Sequence, residues 1–158
     1  MILVYIFVFI FGAVVGSFLN VCIHRLPRAE SIVFPASHCA NCNRPIPWYY
    51  NVPIISYLVL GGRCKFCKAK ISLRYLVVEG LSAVMLTVLF WRFGAKPELA
   101  IYATFFSALI VISFIDIEHW IIPDEISLPG AALGLIISGV YPALQGQASR
   151  LIALRESL

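Results

Sequence analysis

The chain has 158 residues, 61% of them hydrophobic and only 13% charged, with a mean hydropathy of +0.91. A soluble domain is about half apolar and about a quarter charged, so this composition excludes an ordinary water-soluble globule and points to a protein embedded in lipid. The net charge of +4 is unevenly spread: eight of the 12 lysines and arginines fall in residues 25–74 beside a single acid, Glu30, a local charge of +7. A short basic loop between apolar spans stays on the cytoplasmic side, and that topology accounts for the charge without a nucleic-acid partner.

Residues 2–19 run for 18 positions without a charge, close to the ~20 that cross a hydrocarbon core. A secretory signal peptide would begin with a basic segment, whereas here the cations follow the apolar run. Residues 1–22 are therefore expected to form an uncleaved first transmembrane helix with the N-terminus outside. Gly12 and Gly16 make a small-xxx-small pair of the kind that lets another helix approach.

Residues 23–74 form the loop. His24, Arg25, Leu26, Pro27 and Arg28 mark the exit from the membrane. Trp48, Tyr49 and Tyr50 suit a headgroup-level aromatic belt. The apolar stretch 54–60 is too short to span and reads as a strand or an interfacial segment. Residues 75–158 then carry apolar segments at 75–91, broken only by Glu79, at 99–115 and at 126–144, the last with a second Gly-xxx-Gly pair at Gly130 and Gly134. Residues 145–158 look like the start of a fifth span. Glu79 either pairs with a loop cation or lines a cavity. The expected fold is an all-α polytopic membrane protein, a bundle of about four transmembrane helices with a cytoplasmic zinc-ribbon-like loop.

Four of the five cysteines lie in that loop as Cys39-x2-Cys42, a gap of 21 residues, and Cys64-x2-Cys67. Each CxxC turn can point two thiolates at one ion, and two such turns complete a tetrahedron around zinc. A redox pair or a disulfide staple would need an oxidising compartment, which a cytoplasmic loop is not. A closed four-thiolate site has no open position for water, so this zinc is structural. Arg44, Arg63, Lys65 and Lys68 would offset its formal charge. Cys22, alone at a membrane boundary, reads as a small buried apolar residue.

Residues 115–124, IDIEHWIIPD, hold the only two aspartates of the chain, Asp116 and Asp124. An ionisable group at the edge of a span is a functional candidate by default. Asp116 falls at the C-terminal end of its helix, where the dipole disfavours a carboxylate, so capping does not explain it. Asp124 precedes a helix and has a capping reading beside a catalytic one. Glu118 lies about 200° around the helix from Asp116 and faces elsewhere; with His119 and Glu125 it reads as a solvated interface residue. Paired carboxylates sharing a proton cleave peptides, one activating water and the other protonating the leaving group.

These pieces together resemble the type IV prepilin peptidases, the leader peptidases and N-methyltransferases of pilus and type II secretion systems. The matching motifs are GSFLNV at 16–21, RLP at 25–27, the cysteine quartet, NVPIISYL at 51–58, SLRYLVVE at 72–79 and IDIEHWIIPD at 115–124. The resemblance implies an aspartyl endopeptidase of the bacterial inner membrane. It would clip the basic leader of prepilins and pseudopilins at the cytoplasmic face and methylate the new N-terminus with S-adenosylmethionine. It assigns Asp116 the first catalytic carboxylate. The family's second aspartate sits in a later Gly-x-Gly-Asp motif, which this sequence lacks, so the chain by itself is expected to be catalytically incomplete.

Two other readings remain at this stage. One is a non-enzymatic membrane zinc-ribbon adaptor; the other pairs Asp116 with Asp124 as the dyad. No residue is expected from sequence to hold the methyl donor.

Overall fold

The computed structural model describes residues 1–140. Helix α1 spans Ile2–Arg25, and the long apolar run continues through the first exit residues, where Arg25 places positive charge at its C-terminal dipole. A single 3-10 turn over Leu26–Arg28 and a left-handed Ala29 then reverse the chain. In the loop, residues 54–60 contain a short helix, α2, over Ile55–Val59, and not a strand. The described residues contain no strands, only two isolated antiparallel bridges.

Helix α3 spans Leu73–Phe93; its N-cap, Ser72, accepts the Arg74 N–H at 3.3 Å, and Gly94 ends it at φ +64°. Helix α4 spans Pro97–His119, with proline at its first position, where no N–H is needed. It runs on past residue 115, so Asp116, Glu118 and His119 belong to its last turn. Trp120 stops it in a left-handed conformation, φ +57°, and donates its N–H to the Asp116 carbonyl at 2.8 Å. Helix α5 spans Asp124–Val140, and the Pro123 carbonyl accepts the Ile126 and Ser127 N–H groups at its start. The expected continuation of this apolar segment to residue 144, and the expected start of a fifth span, lie outside the described residues.

Three described helices, α1, α3 and α4, are long and apolar enough to cross a membrane. Their outward faces carry exposed Phe7, Phe18, Val84 and Phe105, the reverse of a soluble bundle.

The closest approach is between α1 and α3. A Cβ at Gly16 would lie 2.7 Å from the Glu79 Cα, and one at Gly12 would lie 2.8 Å from the Ala83 Cα. The first Gly-xxx-Gly pair therefore makes the crossing possible. Gly130 and Gly134 meet nothing within 4 Å among the described residues. A core of Leu19, Cys22 and Ile23 from α1, Val78 from α3, and Ile110, Val111 and Ile115 from α4 closes one end of the bundle. Cys22 is part of this core, as its size and softness suggest. Because Ile115 packs there, the last turn of α4, with Asp116, emerges at the end that carries the loop.

Candidate metal centre and the acidic end of the bundle

The two CxxC turns fold alike. Cys39 donates its N–H to the Arg44 carbonyl at 3.0 Å and accepts from Asn43 at 2.8 Å; Cys64 donates to Ala69 at 2.9 Å and accepts from Lys68 at 3.0 Å. Asn43 and Lys68, the residues that follow the second cysteine of each pair, are both left-handed, at φ +53° and +59°. One bridge flanks each turn, His38 with Pro45 and Arg63 with Lys70. Such a turn aims backbone N–H groups at its own sulfurs, which favours thiolates.

The four Sγ atoms lie within 4.8 Å of one another, and Cys39 and Cys67 are 3.7 Å apart. Tetrahedral Zn–S bonds of about 2.3 Å place sulfurs roughly 3.8 Å apart, so the quartet fits a zinc-sized ion with little adjustment. The Ala69 N–H, and then the Asn41 amide 3.6 Å from its sulfur, hold the Cys67 thiol down at about 6. The Cys67 and Phe66 N–H groups lower Cys64. The Arg44 N–H also favours the Cys42 thiolate, but desolvation and the sulfurs of Cys39 and Cys67 outweigh it and push Cys42 up to about 11. Crowded sulfurs that resist sharing negative charge are what a dication resolves. Arg44 lies over the Phe66 ring at 5.4 Å and Lys65 over the Tyr50 ring at 5.6 Å, joining the two turns and the aromatic segment.

Two buried polar residues, Glu79 and Arg25, tie this loop to the helices, and a third, Asn20, ties α1 to α3. Glu79, in the second turn of α3, is buried; its Oε2 accepts the Ile54 N–H at 2.7 Å, and the Ser17 hydroxyl bonds to it. Glu79 thus neither pairs with a loop cation nor needs a cavity: its partners are a hydroxyl and a backbone amide. Ile54 is held at φ +64°, ψ −54°, an uncommon conformation for a β-branched residue. Arg25 is also buried and donates to the carbonyls of Ser31, at 2.8 Å, and Pro35, at 2.7 Å. Asn20, fully buried, donates to the Tyr75 carbonyl at 3.1 Å.

Glu118 is exposed, as a solvated interface residue would be, and it also has a partner. It forms an ion pair with Arg74, joining the last turn of α4 to the first of α3. Asp116 and Asp124 are both exposed. Asp116 sits one residue beyond the buried Ile115; Asp124 occupies the first turn of α5, where the dipole favours a carboxylate. A cleft of about 540 Å³ opens between the helices, walled by Val15, Leu19, Leu86 and Val111, with Glu125 at its rim.

Sequence reasoning missed the roles of Asn20 and Arg25 and left Glu79 open. A lone acid in an otherwise apolar span was the available signal for Glu79. The two arginine bonds could not be foreseen, because their acceptors are backbone carbonyls in a loop of unknown path.

The described residues thus form a helical membrane-type bundle with a four-cysteine knuckle at the end that presents an aspartate. Residues 10–93 match the bacterial peptidase A24 N-terminal domain, and residues 103–154 match the type IV leader peptidase family. The chain belongs to this family of type IV leader peptidases. It is 41% identical over 133 residues to the prepilin leader peptidase/N-methyltransferase of Myxococcus xanthus, covering 84% of this chain and 40% of that protein. The protein of the same name from Pseudomonas putida is 37% identical over 159 residues, covering 85% of this chain and 55% of its own length. That from Neisseria gonorrhoeae is 33% identical over 175 residues, covering 94% and 61%. The chain spans about half the length of the curated relatives it matches. No solved structure matches it.

Proposed function

We propose that the protein serves prepilin leader cleavage at the cytoplasmic face of the bacterial inner membrane, with Asp116 as one of two catalytic carboxylates. The observation that carries this reading is the position of Asp116. It is exposed in the last turn of an apolar helix whose preceding residue, Ile115, anchors the bundle core, at the end where the zinc loop docks. The surplus of cations in that loop supports a cytoplasmic orientation, with the N-terminus outside. The substrates would be prepilin and pseudopilin precursors, presented at the bilayer surface.

In such a site one carboxylate takes a proton from water as it attacks the scissile carbonyl, and the other protonates the departing amine. Asp116 supplies one of these groups. Asp124 is assigned to the start of α5, where its charge favours the helix, and the partner carboxylate is assigned to the family's Gly-x-Gly-Asp motif rather than to Asp124. Cys39, Cys42, Cys64 and Cys67 would hold zinc, which supplies cross-linking of the two turns and no chemistry. N-methylation by S-adenosylmethionine rests on the relatives' shared name, and no residue here is assigned to it.

The test is leader cleavage of a pilin-like precursor by the purified chain in detergent, beside Asp116→Asn and Asp124→Asn. Cleavage that survives Asp116→Asn sinks the assignment. Cleavage lost in both variants makes Asp124 the partner. A folded, zinc-holding chain that cleaves nothing places the partner carboxylate outside these residues. It also keeps alive the second reading, a membrane zinc-ribbon adaptor. That reading is favoured by the quartet being the one complete site among the described residues.

A further inference from the structure

We infer that the loop segment from Trp48 to Val59 is an interfacial element whose apolar face lies in the lipid–water boundary beside α3. The inference rests on the membrane reading above and adds a surface that this reading does not use.

The argument begins with depth. Arg74 lies at the start of α3, paired with Glu118 and stacked over the Tyr75 ring at 5.2 Å. Glu79 lies five residues further into the same apolar helix, about 7.5 Å along its axis at 1.5 Å per residue. Its carboxylate holds the Ile54 N–H at 2.7 Å. The loop is therefore drawn down alongside the membrane helix, not held above it. An interfacial helix sits about 5–10 Å into the boundary between headgroups and acyl chains, which is this depth.

The second observation is the pattern of exposure. Ile55, Leu58 and Val59 have i, i+3, i+4 spacing and share one face of α2. They are 60%, 63% and 75% exposed. The other face is used within the protein: the Tyr57 hydroxyl donates to the Ile71 carbonyl at 3.4 Å, and its ring lies where a Cβ on Gly62 would be. A water-soluble loop would turn these faces round. Just upstream, Trp48 is 81% exposed, an amphipathic ring suited to headgroup level.

Charge agrees. From residue 31 to residue 78 there is no acid, but there are six cations, Arg44, Arg63, Lys65, Lys68, Lys70 and Arg74. Four thiolates on one zinc would still leave the segment positive. An apolar face beside an excess of cations matches an anionic leaflet. It does not match a second copy of this loop, whose like charges would repel.

The experiment uses the three native tryptophans, Trp48, Trp91 and Trp120, in the full chain reconstituted into phosphatidylethanolamine/phosphatidylglycerol nanodiscs. Emission is compared with plain and acyl-brominated lipid, and with acrylamide in the water. One protein carries Leu58→Trp with Trp48→Phe, Trp91→Phe and Trp120→Phe. A second keeps Trp48 alone and needs no change in the segment. A third keeps Trp91, at the far end of α3, as the reference for lipid contact. Helical circular dichroism reports that each bundle has folded, and zinc content that each loop has. Brominated lipid should cut the Leu58→Trp emission at least twofold, comparably to Trp91, with weak acrylamide quenching; Trp48 should respond to both quenchers. Strong acrylamide quenching of Leu58→Trp without lipid quenching, while Trp91 responds to lipid, overturns the inference and leaves the spans intact. Protection of Leu58→Trp from both quenchers overturns it in favour of a protein cover. Failure of Trp91 to respond to lipid overturns the membrane reading itself.

Discussion

Replacing Gly16 by alanine should force α1 and α3 apart. The added Cβ would sit 2.7 Å from the Glu79 Cα and 3.0 Å from the Ser82 Oγ, whereas ordinary contacts begin near 3.4 Å. The nearest atom is backbone, so no side chain can swing away, and the helices must separate by about 0.7 Å at that point. Overpacking of this kind costs about 1–3 kcal/mol. In lipid no hydrophobic driving force between helices offsets it, since the tails are as apolar as the side chains. For a chain of this length each kcal/mol moves the melting temperature by about 2–4 °C, so the expected fall is roughly 2–12 °C. The assay is thermal unfolding in detergent by intrinsic fluorescence, with Gly134→Ala as the matched control. That glycine meets nothing within 4 Å among the described residues, and alanine in a helix is favoured by about 0.5–1 kcal/mol, so the control should hold or rise. Equal effects of the two substitutions would refute the crossing as the reason for Gly16.

Zinc should be present at about one ion per chain, by the capacity of a four-thiolate tetrahedron, and Cys39→Ser or Cys64→Ser should abolish it by elemental analysis. Helical circular dichroism should change little, because α1, α3 and α4 share a core without the loop. In the metal-stripped protein Cys67, held down at about 6, should be the first thiol alkylated near neutral pH, and Cys42, pushed up to about 11, should lag; peptide mass spectrometry after timed alkylation checks the order. The sign follows from linkage: the depressed Cys67 thiol stabilises the folded loop above the ordinary thiol range and loses this as pH falls through about 6. The raised Cys42 stabilises the loop below that range and loses this as pH rises through about 11. Glu79→Ala leaves the Ile54 amide without its acceptor, a loss of about 1–3 kcal/mol, and should speed hydrogen exchange and proteolysis around residues 51–60. Glu79→Gln keeps an acceptor oxygen and should show a smaller effect; equal behaviour of the two would argue against the bond.

Much of the fold is legible in the sequence because lipid imposes a one-dimensional rule. Uncharged runs of sufficient length become helices that satisfy their own backbone groups, and residues 2–19, 75–91 and 99–115 all did so, each extended by a few residues. The cysteine quartet is legible for a related reason: the CxxC turn is a local structure, and spacing carries nearly all its geometry. The stretch 54–60 was ambiguous, because seven apolar residues hold too little periodicity to separate helix from strand.

What sequence could not supply is who meets whom across distance. Gly12-xxx-Gly16 and Gly130-xxx-Gly134 are the same motif, and only packing shows that the first grips a neighbouring helix among the described residues. Glu118 pairs with an arginine 44 positions earlier. Glu79 and Arg25 spend their charge on backbone groups of a loop whose path was unknown until folded. The sequence by itself determined the membrane class, the three long apolar helices, the cysteine quartet and the end of α4 where Asp116 stands. Only the tertiary structure decided that the loop is drawn down against α3 with its apolar face outward. The reason is physical: burial in lipid and thiolate spacing act along the chain, whereas an ion pair, a helix crossing or a carboxylate–amide bond exists only when remote residues arrive at one place.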